Sequence, residues 1–217
     1  MIKVSASILS ADFLNLEMDI KKVISCGADF LHLDIMDGHF VNNITFGYDL
    51  VKSISKISSI PLDTHLMISH PEKYIELFAK NGSNIITIHH EISSNTMDIL
   101  NQIKNLGCKC GISIKPSTDI SVLEKYINIV DLILIMSVEP GFGGQEFITK
   151  SIERIKFAKS LIKNSGREIM LEVDGGINDK TAILVKNAGA DVLVSGSYIF
   201  KSSPQSEMSD KIAFLKS

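Results

Sequence analysis

The chain has 217 residues, with 22 Lys and Arg against 25 Asp and Glu, a formal net charge of −3 and 45% apolar side chains. That length fills one well-cored domain, residues 1–217, and a single α/β barrel can use all of it. The basic residues are scattered through helical segments, which argues against nucleic acid as a partner, and the longest apolar run, Ile127 to Val138, is interrupted by Asn128 and Asp131 and too short to span a bilayer.

Taken in chain order, apolar runs of strand length fall at Val4–Leu9, Phe30–Ile35, Leu62–Met67, Asn84–His89, Lys109–Ile114, Leu132–Ser137, Ile169–Asp174 and Val192–Gly196. Each is followed by a segment of helical period: Leu16–Ser25, Tyr48–Ile57, Pro71–Asn81, Met97–Leu106, Ile120–Asn128, Thr149–Lys163, Asp179–Ala188 and Ser206–Lys216. Gly27-Ala28-Asp29, Gly82-Ser83-Asn84 and Gly189-Ala190-Asp191 repeat one helix-stop-strand junction, as expected of a unit iterated along the chain. Strict strand–helix alternation with near-continuous apolar strands predicts parallel pairing buried on both faces. Eight such units favour a closed (β/α)8 TIM barrel over an open doubly wound sheet. The first strand also leads into Ser10-Ala11-Asp12 without the glycines of a dinucleotide fingerprint.

The three cysteines, Cys26, Cys108 and Cys110, form no C-x-x-C pair, and the opening Met1-Ile2-Lys3-Val4 shows no signal-peptide pattern. A reduced, cytoplasmic setting is expected.

Four polar residues stand out at the ends of the apolar runs: His32, Asp34, His65 and Asp174. His32 and Asp34 are two residues apart, so on a strand they share a face at roughly 6–7 Å. In a barrel the C-terminal strand ends and the loops after them carry chemistry, and all four residues fall there. Two imidazoles and two carboxylates can share one divalent ion, Zn²⁺ foremost, with Fe²⁺, Mn²⁺ and Co²⁺ also compatible. Met36, Met67 and Met136 sit near these groups, either as core filling or as an apolar lid over a reacting centre.

Glycines gather on consecutive βα loops. Glu139-Pro140-Gly141-Phe142-Gly143-Gly144-Gln145 follows the sixth strand, Gly175-Gly176 the seventh and Gly196-Ser197 the eighth. The first stretch suits a mobile loop, and backbone N–H groups of the other two, with a short helix after the eighth strand, suit a phosphate. Ser7, nearer the C-terminal end of its strand than Ser5, can meet a substrate hydroxyl or simply fill a barrel layer. His89 and His90 end the fourth strand on opposite faces, so at most one looks inward, while His39, His70 and Glu91 read as loop residues and Asp37 as a turn former.

The segments Ser5–Phe13, His32–Phe40, Asp63–Met67, Glu139–Gln145 and Glu172–Ile177 together resemble the motifs of the ribulose-phosphate 3-epimerase family, in its order and over essentially the whole chain. The resemblance implies a (β/α)8 barrel, homo-oligomeric as a dimer or larger. It implies a cytoplasmic enzyme of the non-oxidative pentose phosphate pathway that interconverts D-ribulose 5-phosphate and D-xylulose 5-phosphate through an enediolate. Carried over by residue, it makes His32, Asp34, His65 and Asp174 the ligands of one divalent metal ion per subunit, with Asp34 and Asp174 also the acid/base pair. Ser7, His65, Gly141, Phe142, Gly143, Gly144, Gly175, Gly176, Gly196 and Ser197 become the substrate contacts.

The residues fit that chemistry on their own terms. Inversion next to a ketone removes a proton from one face and delivers one to the other, and the second and seventh strands stand across the barrel mouth. Asp34 is expected to take the C3 proton of ribulose 5-phosphate and Asp174 to donate its replacement. Two rivals differ in substrate or class: an epimerase for a longer ketose phosphate such as allulose 6-phosphate, and a catalytically silent phosphate-binding barrel. A related decarboxylase is disfavoured because Ile35-Met36 follows Asp34 where such enzymes favour an Asp-x-Lys arrangement.

Overall fold

Strand β1 (Lys3–Ser7) pairs in parallel with both β2 (Phe30–Met36) and β8 (Val192–Ser195), and this closes the sheet on itself. Between them run β3 (Leu62–Met67), β4 (Ile85–His89), β5 (Lys109–Ile114), β6 (Leu132–Met136) and β7 (Met170–Asp174), each hydrogen-bonded to its neighbours in sequence. The computed structural model describes residues 1–92, 95–202 and 204–217. The result is the expected (β/α)8 TIM barrel.

Outside it lie α1 (Leu16–Ser25), α2 (Tyr48–Ser55), α3 (Ile75–Lys80), α4 (Thr96–Asn105), α5 (Ser151–Ser165), α6 (Asp179–Ala188), α7 (Ser197–Phe200) and α8 (Gln205–Lys216). None is long and apolar enough to cross a membrane.

The period of two along each strand assigns its side chains to two cores. Leu31, Leu33 and Ile35 of β2, Ile86 and Ile88 of β4, and Ile133 and Ile135 of β6 point outward. They pack with Ile20, Val51, Ile99, Ile155 and Val185 of the helices in one continuous cluster. Each such side chain contributes on the order of 1.5–3 kcal/mol when fully buried. Inside the barrel, Phe30, Ile85, Leu132 and Val192, with Met170 against them, form an apolar floor. One layer higher the inward residues turn polar, with Ser5, His32, Asp63 and Glu172 all buried.

The recurrent helix-stop junction has a physical basis. Asp29, Asn84, Asp131 and Asp191 each stand just before a strand, and their side chains accept backbone N–H bonds from Val4, Leu62, Cys110 and Leu171, at 2.8–3.0 Å. Each acidic or amide group thereby pins the N-terminal end of the preceding strand, a point where the barrel ladder has just begun. Lys216 of α8 adds a second tie to Asp29 at 2.9 Å.

Three predicted elements differ. The first strand stops at Ser7, and Ile8–Ser10 is a 3-10 turn that swings the chain outward. The helix expected over Pro71–Asn81 is a 3-10 turn at Pro71–Lys73 followed by α3, because Tyr74 leaves the helical region at φ −122°. The segment Ile120–Asn128 is 3-10 over Ile120–Lys125. There the Asp119 side chain accepts from Ser121 N at 2.9 Å, and Tyr126 and Ile129 bond back three residues, so a tight turn serves the connection into β6.

Candidate metal centre and active site

The register of the strands brings the four residues together. Asp34 is opposite His65, Ser7 is opposite His32, and Met136 is opposite Asp174. His32, Asp34, His65 and Asp174 each offer a ligand atom, and those atoms all lie within 4.8 Å of one another. His32 Nε2 is 3.2 Å from Asp34 Oδ1 and 4.0 Å from Asp174 Oδ2, and His65 Nδ1 is 3.1 Å from Asp34 Oδ1. Ser7 Oγ donates to Asp34 Oδ2 at 2.9 Å, which orients that carboxylate, and the Thr45 hydroxyl donates to the Asp34 carbonyl.

His32 Nδ1 meets Asp63 Oδ2 at 2.7 Å, so this ring nitrogen carries the proton and Nε2 faces the other three groups. Nε2 is fully buried and makes no well-aligned hydrogen bond. A buried ring nitrogen aimed at two carboxylates and a second imidazole fits a site that exchanges its proton for a divalent cation, and the set of two nitrogen and two oxygen donors suits Zn²⁺ or Fe²⁺, Mn²⁺ or Co²⁺.

The electrostatics separate the carboxylates. Burial works to raise the Asp34 carboxyl, but the imidazoles of His32 and His65 outweigh it and hold the group well below the usual range. Burial and the nearby Asp34 charge push Asp174 up to about 6. Asp174 is also the more open of the two, its side chain 18% exposed against 6% for Asp34. Burial alone would depress His32, yet attraction from Asp34 and Asp63 raises it well above its ordinary value. Below it, burial and the Asp63 charge raise Glu172, while at Asp63 the attraction of His32 outweighs burial and lowers the carboxyl.

Above the cluster opens a cavity of about 600 Å³. Its wall includes Ser7, Asp34, Asp174, Gly141, Phe142, Gly143, Gly144, Gly175, Gly176, Gly196 and Ser197, with Met36, Met67 and Met136 as its apolar side. The anticipated short helix after β8 is α7, which begins at Ser197. His65, grouped with these residues by the sequence, is not on the wall; it is fully buried below, beside Asp34 and His89.

The Gly141 loop is tied to the β2–α2 connection by a 2.8 Å bond from Asn43 Nδ2 to the Gly141 carbonyl. Ser137 Oγ lies 2.8 and 2.7 Å from the carbonyls of Asp174 and Gly175, fastening the end of β7 to β6.

Gly175 is forced by the turn itself. Its φ is +120°, and a Cβ there would stand 2.9 Å from the Val138 backbone nitrogen. Gly175→Ala is expected to lose roughly 1–3 kcal/mol to backbone strain and a comparable amount to the clash. Urea unfolding reads this directly; wild-type stability would show that the turn relaxes freely.

Two functional candidates were not singled out from the sequence. Asp63 and Glu172 each precede a chosen residue by two positions, on the same inward face, and that spacing is the signal that finds them. Of the two histidines ending β4, His89 looks inward and is fully buried, and its Nε2 is 2.9 Å from His65 Nε2. His90 turns away to Tyr126 Oη at 2.6 Å. Asp37 caps its own turn, accepting from His39, Phe40 and Ser69 N–H at 2.8–2.9 Å.

Comparison with known proteins agrees with this geometry. Residues 3–200 match the family model described as the ribulose-phosphate 3 epimerase family. The ribulose-phosphate 3-epimerase of Bacillus subtilis (strain 168) is 44% identical over 213 residues, covering 98% of both chains. That of Helicobacter pylori (strain ATCC 700392 / 26695) is 46% identical over 200 residues, 92% of this chain and 91% of its own. Among solved structures, 3-hexulose-6-phosphate synthase from Salmonella typhimurium superposes with a TM-score of 0.72 over 99% of this chain and 97% of its own at 15% identity, a likeness of fold. The match runs through every strand of the barrel, and the chain is an enzyme of the isomerase class that belongs to the ribulose-phosphate 3-epimerase family.

Proposed function

We propose that this chain interconverts D-ribulose 5-phosphate and D-xylulose 5-phosphate by inverting C3, with Asp34 and Asp174 as acid and base. The observation that carries the reading is the convergence of carboxylates from β2 and β7 on one point, at the floor of a cavity rimmed by glycine loops. Inversion needs a proton removed from one face and returned to the other, and a single carboxylate would favour return to the same face. Asp34 takes the C3 proton of ribulose 5-phosphate and Asp174 supplies one to the opposite face; the roles exchange in reverse.

His32, Asp34, His65 and Asp174 hold one divalent ion per subunit in this reading. When bound, it supplies electrostatic stabilisation of the negative charge that develops on the substrate as the proton leaves. Ser7 keeps Asp34 oriented toward the cavity. Met36, Met67 and Met136 exclude water beside the reacting carbon, while the backbone at Gly175, Gly176, Gly196 and Ser197 receives the phosphate, and the Gly141–Gly144 loop covers it.

The enzyme works in the cytoplasm as a homo-oligomer of single-domain subunits. Three free cysteines support the reducing setting, and the exposed apolar side chains of Phe13, Leu14, Met18 and Ile44 near the barrel mouth support self-association.

The test is a coupled epimerisation assay on chelator-treated protein, with each divalent ion restored in turn and ribulose 5-phosphate compared with allulose 6-phosphate. Recovery of turnover with higher kcat/KM on the pentose phosphate is expected. Higher efficiency on the hexose phosphate would reassign the substrate, and no turnover with any ion would leave a silent sugar-phosphate-binding barrel.

A further inference from the structure

His65 does not stand alone beneath the cavity. Its Nε2 lies 2.9 Å from His89 Nε2, and His89 Nδ1 lies 3.2 Å from Glu91 Oε2. The two rings meet edge to edge, 5.0 Å between centroids with planes 27° apart, and Phe40 packs against His89 at 4.8 Å. Both histidines are fully buried, so no water corrects a misplaced proton.

The hydrogen-bond logic runs one way. Glu91 is an acceptor: its Oε1 already receives Lys115 N–H at 2.8 Å and the Thr118 hydroxyl. It therefore takes the proton of His89 Nδ1, and a neutral imidazole with Nδ1–H has a lone pair at Nε2. That lone pair accepts from His65 Nε2–H. The consequence for His65 is a bare Nδ1, the atom that faces Asp34 at 3.1 Å.

Glu91 is itself held from outside the barrel. Arg154 of α5 donates to the carbonyls of Thr118 at 2.7 Å and Lys115 at 3.0 Å, closing the turn that presents both donors to Glu91. A continuous line of bonds thus runs from α5 through the β5 loop, Glu91 and His89 to His65.

We propose that His89 and Glu91 are positioning residues for the metal centre: through two successive hydrogen bonds they fix His65 as its Nε2–H tautomer, with Nδ1 presented as the metal-binding atom. The inference rests on the reading of the four-residue cluster as a cation site. It also explains why the two histidine ligands use different nitrogens. His32 has its Nδ1 proton taken by Asp63 and offers Nε2, whereas His65 has its Nε2 proton taken by His89 and offers Nδ1. Partners of this kind commonly change metal affinity by about 10–100-fold when removed.

The experiment is Zn²⁺ binding to full-length, chelator-stripped protein in competition with a chromophoric chelator, together with the visible absorption spectrum of the Co²⁺ form. His89→Phe keeps an aromatic ring between His65 and Phe40 but cannot accept a hydrogen bond. It is expected to bind Zn²⁺ about 10–100-fold more weakly than wild type and to shift the Co²⁺ spectrum, with an unchanged far-ultraviolet circular dichroism spectrum. His89→Gln, whose Oε1 comes close to the position of Nε2, is expected to regain most of the affinity. If the phenylalanine variant does not fold, His89→Leu serves in its place. Wild-type affinity and an unaltered Co²⁺ spectrum in a folded phenylalanine or leucine variant would overturn the inference while leaving the metal site standing. Absence of ion binding in wild type would overturn the site reading and the inference with it.

Discussion

Asp174→Asn is expected to lower turnover of ribulose 5-phosphate by about 10²–10⁴-fold, the range in which a positioned proton donor or acceptor acts, and Asp34→Asn by as much or more. The two variants are separated by isotope exchange. In deuterated solvent the wild type should place deuterium at C3 of both sugars. Asp174→Asn retains the base that opens ribulose 5-phosphate, so proton exchange on that sugar's own face should outlast inversion. Asp34→Asn should lose both. Metal content is measured in each case, because asparagine offers a neutral ligand where the carboxylate offered a charge. Equal loss of exchange and inversion in a metal-replete Asp174→Asn would sink the two-face assignment, and unimpaired turnover in either variant would remove that residue from the chemistry.

The same asymmetry is visible in the surroundings of the two carboxylates. Asp34 has Oδ2 bonded to Ser7 and Oδ1 beside His32, whose proton affinity is raised, an environment that favours the anion. Asp174, across the barrel and closer to the cavity, is pushed up to about 6 by burial and by Asp34 itself. Two carboxylates whose surroundings pull their proton affinities apart are suited to opposite halves of one proton transfer.

The barrel was legible because its signals are local and repeated. Each strand alternates inward and outward residues, each helix buries one face, and the Gly-x-Asp/Asn junction recurs at three of the passages from helix to strand. What the repeat cannot convey is the exact end of an element, which depends on caps. The segment capped by Asp119 is 3-10 and ends at Lys125, and Tyr74 divides the third helix after Pro71. At the site, Asp34, His65 and Asp174 were legible because polar groups toward the C-terminal ends of buried strands have few structural reasons to be there, and His32 through its two-residue spacing from Asp34, although it sits third in β2, level with Asp63. Asp63 and Glu172 sit one inward position lower, where sequence position alone suggests a barrel filler. His89 was ambiguous for another reason: with His90 beside it, parity says that one faces in without saying which. Only the pairing of β4 with β3 brings it against His65.

The support beneath the site carries the largest expected effect on stability. Asp63 Oδ2 takes hydrogen bonds from both His32 Nδ1 at 2.7 Å and Ser5 Oγ at 2.8 Å, and all three residues are at most 1% exposed. Asp63→Ala leaves two donors unpaired where water does not reach and strands the raised charge of His32 with Asp34 as its remaining close counter-ion. Breaking a buried pair from one side costs about 3–5 kcal/mol, a large fraction of the ~5–15 kcal/mol that holds a domain together. Asp63→Asn, which keeps an acceptor oxygen for His32 and offers an amide to Glu172, is expected to cost less. Urea unfolding of the metal-free protein measures both. An alanine variant within about 0.5 kcal/mol of wild type, the range of a neutral surface change, would mean that the polar layer under the metal site is not part of what stabilises the barrel. The expected order instead makes the interior of this fold a compromise: the floor is apolar for stability, and the layer above it stays polar, with Asp63 holding His32 Nδ1 and Ser5 Oγ so that Nε2 of that histidine faces the carboxylates above.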